Sequence, residues 1–356
     1  MILGVSEVWF RTVMPACQSP TYYQDSQWDI RRQDPTGPRE GLETVGRLTV
    51  REGHWHVNND GWISAVDYVP ADQRSRPLVA LFGDSFVEGL ATDVGDHVDA
   101  KLAGLLNPTG DVYSFGVGGW YLEQYVAVSR YVSSAYGPDV LVILLDVNDV
   151  VDSRQEYGVV SPYLWQVASG PAGFQEVRPA ERYVASRLAA PARRSALLNY
   201  LRYNAKVALP GMKSASVPED AKTERGTTST AGTADEWREQ LPAATCMVRQ
   251  LVQDHPGAPI VFAAHGDRYI PLESLSDTPL FPDARAVQAA CEGEPDCYFL
   301  DLRESFSRDW AANHVSFEAA DGVHWNAHGN EVVARALASF IEERGLLGPA
   351  SRPNKA

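Results

Sequence analysis

The sequence predicts an α/β protein: a three-layer sandwich around a roughly five-stranded parallel sheet. Two observations predict it. Short, wholly apolar runs recur along the chain, and stretches of helical periodicity separate them. A strand that is apolar on both faces has helices over both faces, and a parallel connection needs a helix-length crossover.

The first 75 residues stand outside that pattern. They are irregular and aromatic-rich, with Trp9, Trp28, Trp55 and Trp62. Leu48 to Val57 and Trp62 to Val69 read as two strands joined by the turn Asn58-Asn59-Asp60-Gly61, a hairpin signal. Residues 1–75 are therefore expected to be an N-terminal extension packed on the core. The core strands follow: Leu78 to Phe82, Val112 to Phe115, Val140 to Leu145, Pro259 to Ala264 and Tyr298 to Leu300. Tyr121 to Ala135 and Glu331 to Glu343 have helical spacing. The main domain is expected over 76–347, with 348–356 as a tail. An insertion without core strands is expected at about 150–240. Within it Ala192 to Val207 reads as an amphipathic helix. Lys213 to Asp235 has Val217 as its one sizeable aliphatic residue and is expected to be mobile, because it cannot bury enough to order itself.

Composition limits the function classes. The 356 residues carry 31 Lys and Arg against 46 Asp and Glu, a net charge of −15. That charge disfavours phosphate backbones, so no nucleic-acid partner is expected. No apolar run approaches the ~18 residues of a membrane span. The N-terminal MILGVSEVWFR lacks a basic n-region, an adequate apolar core and a small-residue cleavage site. As written the chain reads without a signal peptide. A longer precursor would place it outside the cytoplasm or at a membrane; otherwise it is cytoplasmic. Cys291 and Cys297 bracket the turn EGEPD, where a hairpin disulfide fits; four reduced thiols are the alternative. No cysteine or histidine spacing suggests zinc. His54 and His56 share one face of a strand, where a polar hairpin face is the simpler reading than a metal pair. No metal and no cofactor are expected.

In an open parallel sheet, ligands bind beyond the carboxyl ends of the strands. Gly83-Asp84-Ser85 follows the first strand, with Gly89 four residues on. Gly116-Val117-Gly118-Gly119-Trp120 follows the second, Asp146-Val147-Asn148-Asp149 the third and His265-Gly266-Asp267 the fourth. Asp321-Gly322-Val323-His324-Trp325 precedes the last helix. These are the parts of acyl transfer. A serine at a strand-to-helix turn is a nucleophile, an Asp and a His three residues apart orient one another, and glycine amides and an Asn side chain are oxyanion donors. The elbow G-x-S-x-G is absent, and Tyr121 stands where a dinucleotide loop needs its third glycine.

Taken together these blocks resemble the SGNH, or GDSL-type, hydrolases over about residues 77–345. Gly83-Asp84-Ser85, Gly119, Asn148 and the Asp321/His324 pair match; Asp146 stands where the family usually has glycine. The extension and insertion are similar to those of bacterial members tied to export or modification of polysaccharides. The resemblance implies Ser85 as nucleophile, His324 as general base and acid, Asp321 as orienting acid, and an oxyanion hole from Ser85, Gly119 and Asn148. It implies a serine esterase acting on an O-acyl ester, on a small molecule or a carbohydrate. An O-acyltransferase with the same triad, or a weakly catalytic carbohydrate-binding scaffold protein in polymer assembly, are the alternatives. Asp146, Trp120, His265, Trp325 and His328 are candidate substrate contacts. The two tryptophans flank candidate catalytic residues, His265 ends a core strand, and His328 lies one turn past His324; core packing, backbone bonding or capping are their alternatives.

Overall fold

The computed structural model describes residues 2–157, 161–184, 193–207, 236–265 and 278–347. The chain opens with helix α1 (Ile2–Thr12) and two small antiparallel pairs. These are β1 (Tyr22–Gln24) with β2 (Arg31–Gln33), and β3 (Glu40–Val45) with β4 (Val50–His56). The core follows as β5 (Leu78–Gly83), α2 (Ser85–Glu88), α3 (Val98–Leu105), β6 (Asp111–Gly116), α4 (Leu122–Tyr136), β7 (Val140–Leu145) and α5 (Asp149–Ser153). A small antiparallel pair, β8 (Gln166–Gly170) and β9 (Gly173–Val177), precedes the short helix α6 (Ala196–Asn199). Helix α7 (Glu236–Asp254), β10 (Ile260–Ala264), α8 (Pro282–Cys291), β11 (Cys297–Asp301), α9 (Arg303–Asn313) and α10 (Ala327–Glu343) complete the described chain.

Among the described residues, the central sheet has five parallel strands in the order β11-β10-β7-β5-β6. Every residue of β5, β7 and β10 is buried. The pleat sends alternate side chains to opposite faces. Leu78, Ala80 and Phe82 of β5 therefore join Leu141, Ile143 and Leu145 of β7 on one face, with α4, α7 and α8 over them. Val79 and Leu81 join Val140, Val142 and Leu144 on the other, beneath α3 and α10. Two apolar layers on one sheet make the predicted three-layer sandwich. The chain moves from β5 outward to β6, then crosses β5 to reach β7. The direction of winding therefore reverses at β5/β7, where a crevice opens at the carboxyl ends.

The extension differs from its predicted hairpin. The partner of β4 is β3, not residues 62–69; beyond β4 a single bridge, Val57 to Ile63, continues the pairing. The Asn58 side chain accepts the amides of Asp60 and Trp62 and closes the turn locally. Trp62 then leaves the strand direction to bury itself completely, edge-on to Phe115 and Trp120. Burial of an indole outweighs continuation of a two-stranded ladder. The helix expected from Ala192 to Val207 is interrupted in its described part. It is α6 followed by a π-turn over Tyr200–Asn204. Cys291 and Cys297 form a disulfide, with Cα atoms 5.3 Å apart, tying the end of α8 to the start of β11. Cys17 and Cys246 are free. The expected mobile stretch 213–235, the tail 348–356, Gly266 and Asp267 lie outside the described residues. No helix among the described residues is long and apolar enough to cross a membrane.

Candidate active site

Ser85 is the first residue of α2, directly after β5. Asp84 precedes it as cap, its Oδ1 accepting the Phe86 amide at 3.0 Å. This is the ordinary N-cap arrangement, in which a side-chain oxygen takes a helix N–H that has no carbonyl partner. It leaves the Ser85 hydroxyl at the mouth of the crevice. Gly116 lets the neighbouring loop approach: a Cβ there would lie 2.5 Å from the Glu88 nitrogen.

His324 reaches Ser85 from a loop that is braced at several points. Glu318 bridges Trp325, the Ala319 amide donates to the His324 carbonyl at 2.8 Å, and the Asn326 amide donates to the Phe317 carbonyl at 2.7 Å. Asn326 then caps α10 through the Gly329 amide at 2.9 Å. Asp321 Oδ1 accepts the amides of Val323 and His324 at 2.9 and 3.0 Å. Its other oxygen contacts His324 Nδ1. A carboxylate accepts only, so Nδ1 carries the proton and Nε2 is the acceptor. That Nε2 lies 2.8 Å from Ser85 Oγ. Burial disfavours the ionised Asp321, but the hydrogen bonds from the His324 ring and from the two amides outweigh it and bring the carboxyl to about 2.

The remaining sequence candidates take different places. Gly119 is exposed in the loop after β6, in a left-handed conformation (φ 76°) that glycine adopts without a Cβ clash. Asn148 is exposed at the end of β7, immediately before α5. Both loops leave strands adjacent to β5. Asp146 faces the buried His265, with Oδ1 3.3 Å from Nε2. The His265 ring packs against Phe86 and Trp325. Trp325 lies against Phe86 and Phe306, and Trp120 is buried against Trp62. His328 bonds Asp309 at 2.7 Å and stacks on Phe317. Trp120 and Trp325 thus lie among aromatic rings, and His328 is paired with Asp309. His54 pairs with Asp93 and His56 with Glu40. No cluster among the described residues could hold a metal ion.

A cleft of about 130 Å³ opens beside Ser85 and His324, and six of the nine residues that line it were not sequence candidates. Glu43, Val45 and Glu52 of the β3/β4 pair face Glu88, Leu90 and Ala91 across it. Burial pushes Glu43 up to about 7; burial and the nearby Asp321 carboxylate do the same to Glu52. Burial also raises Glu88, whose carboxylate is occupied by Tyr22, Gln33 and the Gly118 amide. The sequence carries one signal for Glu88, its place within the first glycine-bounded block. It carries none for Glu43 and Glu52, which are polar residues on a short hairpin with no distinguishing pattern.

No protein-family model and no curated protein matches this chain. Solved structures do resemble it. A family 3 carbohydrate esterase from Clostridium thermocellum is 14% identical, over 77% of this chain and 100% of that one, with a TM-score of 0.39. An acetyl xylan esterase from Butyrivibrio proteoclasticus is 13% identical, over 85% and 74%, with a TM-score of 0.39. A salicylyl-acyltransferase from a tetracycline biosynthetic pathway is 14% identical, over 77% and 56%, with a TM-score of 0.40. These neighbours are of the SGNH type that the sequence blocks resemble.

Proposed function

We propose that this chain is a serine ester hydrolase that cleaves O-acyl esters through an acyl-enzyme. The observation that carries the reading is the continuous contact Asp321–His324–Ser85, with Nε2 2.8 Å from the hydroxyl at the mouth of a cleft. Ser85 Oγ attacks the acyl carbon while His324 Nε2 takes its proton. Asp321 holds the tautomer and stabilises the imidazolium. The amides of Ser85 and Gly119 and the side chain of Asn148 bind the oxyanion. Collapse expels the alcohol, which receives its proton from His324. Water, activated by the same imidazole, then releases the acid and restores Ser85.

The test is an ester panel of varied acyl length, including sugar acetates, run with wild type and Ser85→Ala. Fluorophosphonate labelling is followed by mass spectrometry. The expected outcome is turnover lost in the variant and one adduct on Ser85. Turnover that survives Ser85→Ala overturns the reading. Analysis of products with a sugar present distinguishes transfer to water, which yields free acid, from transfer to a hydroxyl, which yields a new ester.

A further inference from the structure

Gly118 is held at both its amide and its carbonyl by groups outside the triad. Glu88 lies on α2 one turn after Ser85 and is 3% exposed. Its Oε2 accepts the Gly118 amide at 2.8 Å. Its Oε1 accepts Tyr22 Oη at 2.8 Å and Gln33 Nε2 at 2.6 Å. Tyr22 and Gln33 are paired residues of β1 and β2, and Gln33 is wholly buried. The Arg31 guanidinium, also on β2, lies over the Tyr22 ring, and its Nη2 donates to the Gly118 carbonyl at 3.5 Å.

That carbonyl belongs to the same planar unit as the Gly119 N–H. In a trans peptide the two point in opposite directions, so fixing one aims the other. Gly119 has no side chain and a left-handed backbone, so the peptide is free to rotate unless something clamps it. A cationic donor on the carbonyl also polarises the unit and strengthens its N–H as a donor. Glu88 fixes the preceding amide, which leaves little freedom for the loop. The clamp spans the β1/β2 pair and the helix that begins with Ser85.

We infer that Arg31 and Glu88 are positioning residues that aim the Gly119 amide at the oxyanion, making the N-terminal extension a working part of the site. This rests on the proposed role of Gly119 in ester hydrolysis. An oxyanion donor acts on the transition state more than on bound substrate, so misaiming it lowers kcat and leaves KM nearly unchanged.

The test uses the full chain with p-nitrophenyl acetate, and circular dichroism to verify folding. Arg31→Met is expected to lower kcat at least about tenfold, with KM within about twofold, since complete loss of a donor costs about 10²–10³. Arg31→Lys, which restores the positive charge on a shorter stem, is expected to recover part of the loss. A folded Arg31→Met with kcat within twofold of wild type, or a loss carried wholly by KM, overturns the inference. If Arg31→Met does not fold, Tyr22→Phe decides. It removes one donor from Glu88 and is expected to lower kcat about threefold at constant KM; an unchanged kcat overturns the clamp. Ser85→Ala run alongside separates the two claims. Turnover surviving that substitution sinks both the hydrolase reading and the clamp, whereas an inactive Ser85→Ala beside an unaffected Arg31 series sinks the clamp alone.

Discussion

Two histidines in this protein hold serine hydroxyls at the same distance. His324 Nε2 lies 2.8 Å from Ser85 Oγ; His255 lies 2.8 Å from Ser129 Oγ through Nε2 and from Ser133 Oγ through Nδ1. The contacts differ in what surrounds them. Ser129 gives its own proton to the Val126 carbonyl at 2.7 Å. It therefore accepts from His255 Nε2, and Nδ1 accepts from Ser133. The neutral ring is satisfied at both nitrogens, and His255 is 5% exposed beneath α4. Burial depresses its pKa to about 4. His324 instead has a carboxylate on one nitrogen, a hydroxyl on the other, and a cleft beside it. A serine–histidine hydrogen bond is thus a packing device where the imidazole is sealed in as a neutral group. In the function proposed above it becomes a proton relay, where a carboxylate stabilises the charged ring and substrate has a way in.

The largest expected contrast is in turnover. Ser85→Ala and His324→Ala should each lower ester kcat by about 10⁴-fold or more, and the double variant should be scarcely worse, because triad members act as a unit. Ser129→Ala and Ser133→Ala should leave kcat/KM within about twofold. Initial rates on p-nitrophenyl acetate measure both, and losses that multiply in the double variant would break the comparison. Asp321→Asn comes next, with a loss of about 10³–10⁴ in kcat, since an amide no longer enforces the tautomer that leaves Nε2 free. Asn148→Ala should cost about 10²-fold in kcat at little change in KM, as expected for a donor used in the transition state; steady-state kinetics separate the two constants.

The smallest effect sharpens the other half of the comparison. The folded pKa of His255, about 4, lies below its ordinary 6.5. The unfolded chain therefore binds the proton more readily. The stability this group contributes is fully present above pH 6.5 and is lost as the pH falls towards 4. The total is on the order of 3 kcal/mol, because each tenfold loss of proton affinity is worth about 1.4 kcal/mol. Urea denaturation from pH 7.5 to 4 should show that decline. In His255→Gln the decline should shrink, while esterase activity at neutral pH stays within about twofold of wild type.

The asymmetry between these two histidines also explains what could be read in advance. The three inner core strands were legible because burial on both faces demands continuous apolar runs, as in Leu78 to Phe82 and Val140 to Leu145; the edge strands β6 and β11 carry shorter runs of the same kind. The contact between Asp321 and His324 was legible because three residues in one turn bring the two side chains together. The partner of β4 was not. Pairing with β3 rather than residues 62–69 followed from where Trp62 finds its burial, a long-range matter. Trp120, Trp325 and His328 stand beside candidate residues in sequence, yet their side chains turn into the core or towards Asp309. Sequence adjacency does not specify which face of a loop a side chain takes.

By itself, the sequence determined the parallel sheet, the order of its strands along the chain, and the polar blocks at their carboxyl ends, because apolar periodicity and local spacing are properties of neighbouring residues. The tertiary structure alone decided that the N-terminal extension walls the cleft with Glu43 and Glu52. It also brought Tyr22 and Gln33 to Glu88 on the helix that begins with Ser85, and Arg31 to Gly118 in the neighbouring loop. Those residues of the extension lie on short, half-polar strands with no distinguishing pattern. Their role comes from the surface against which the extension packs, fixed by contacts between residues more than fifty positions apart.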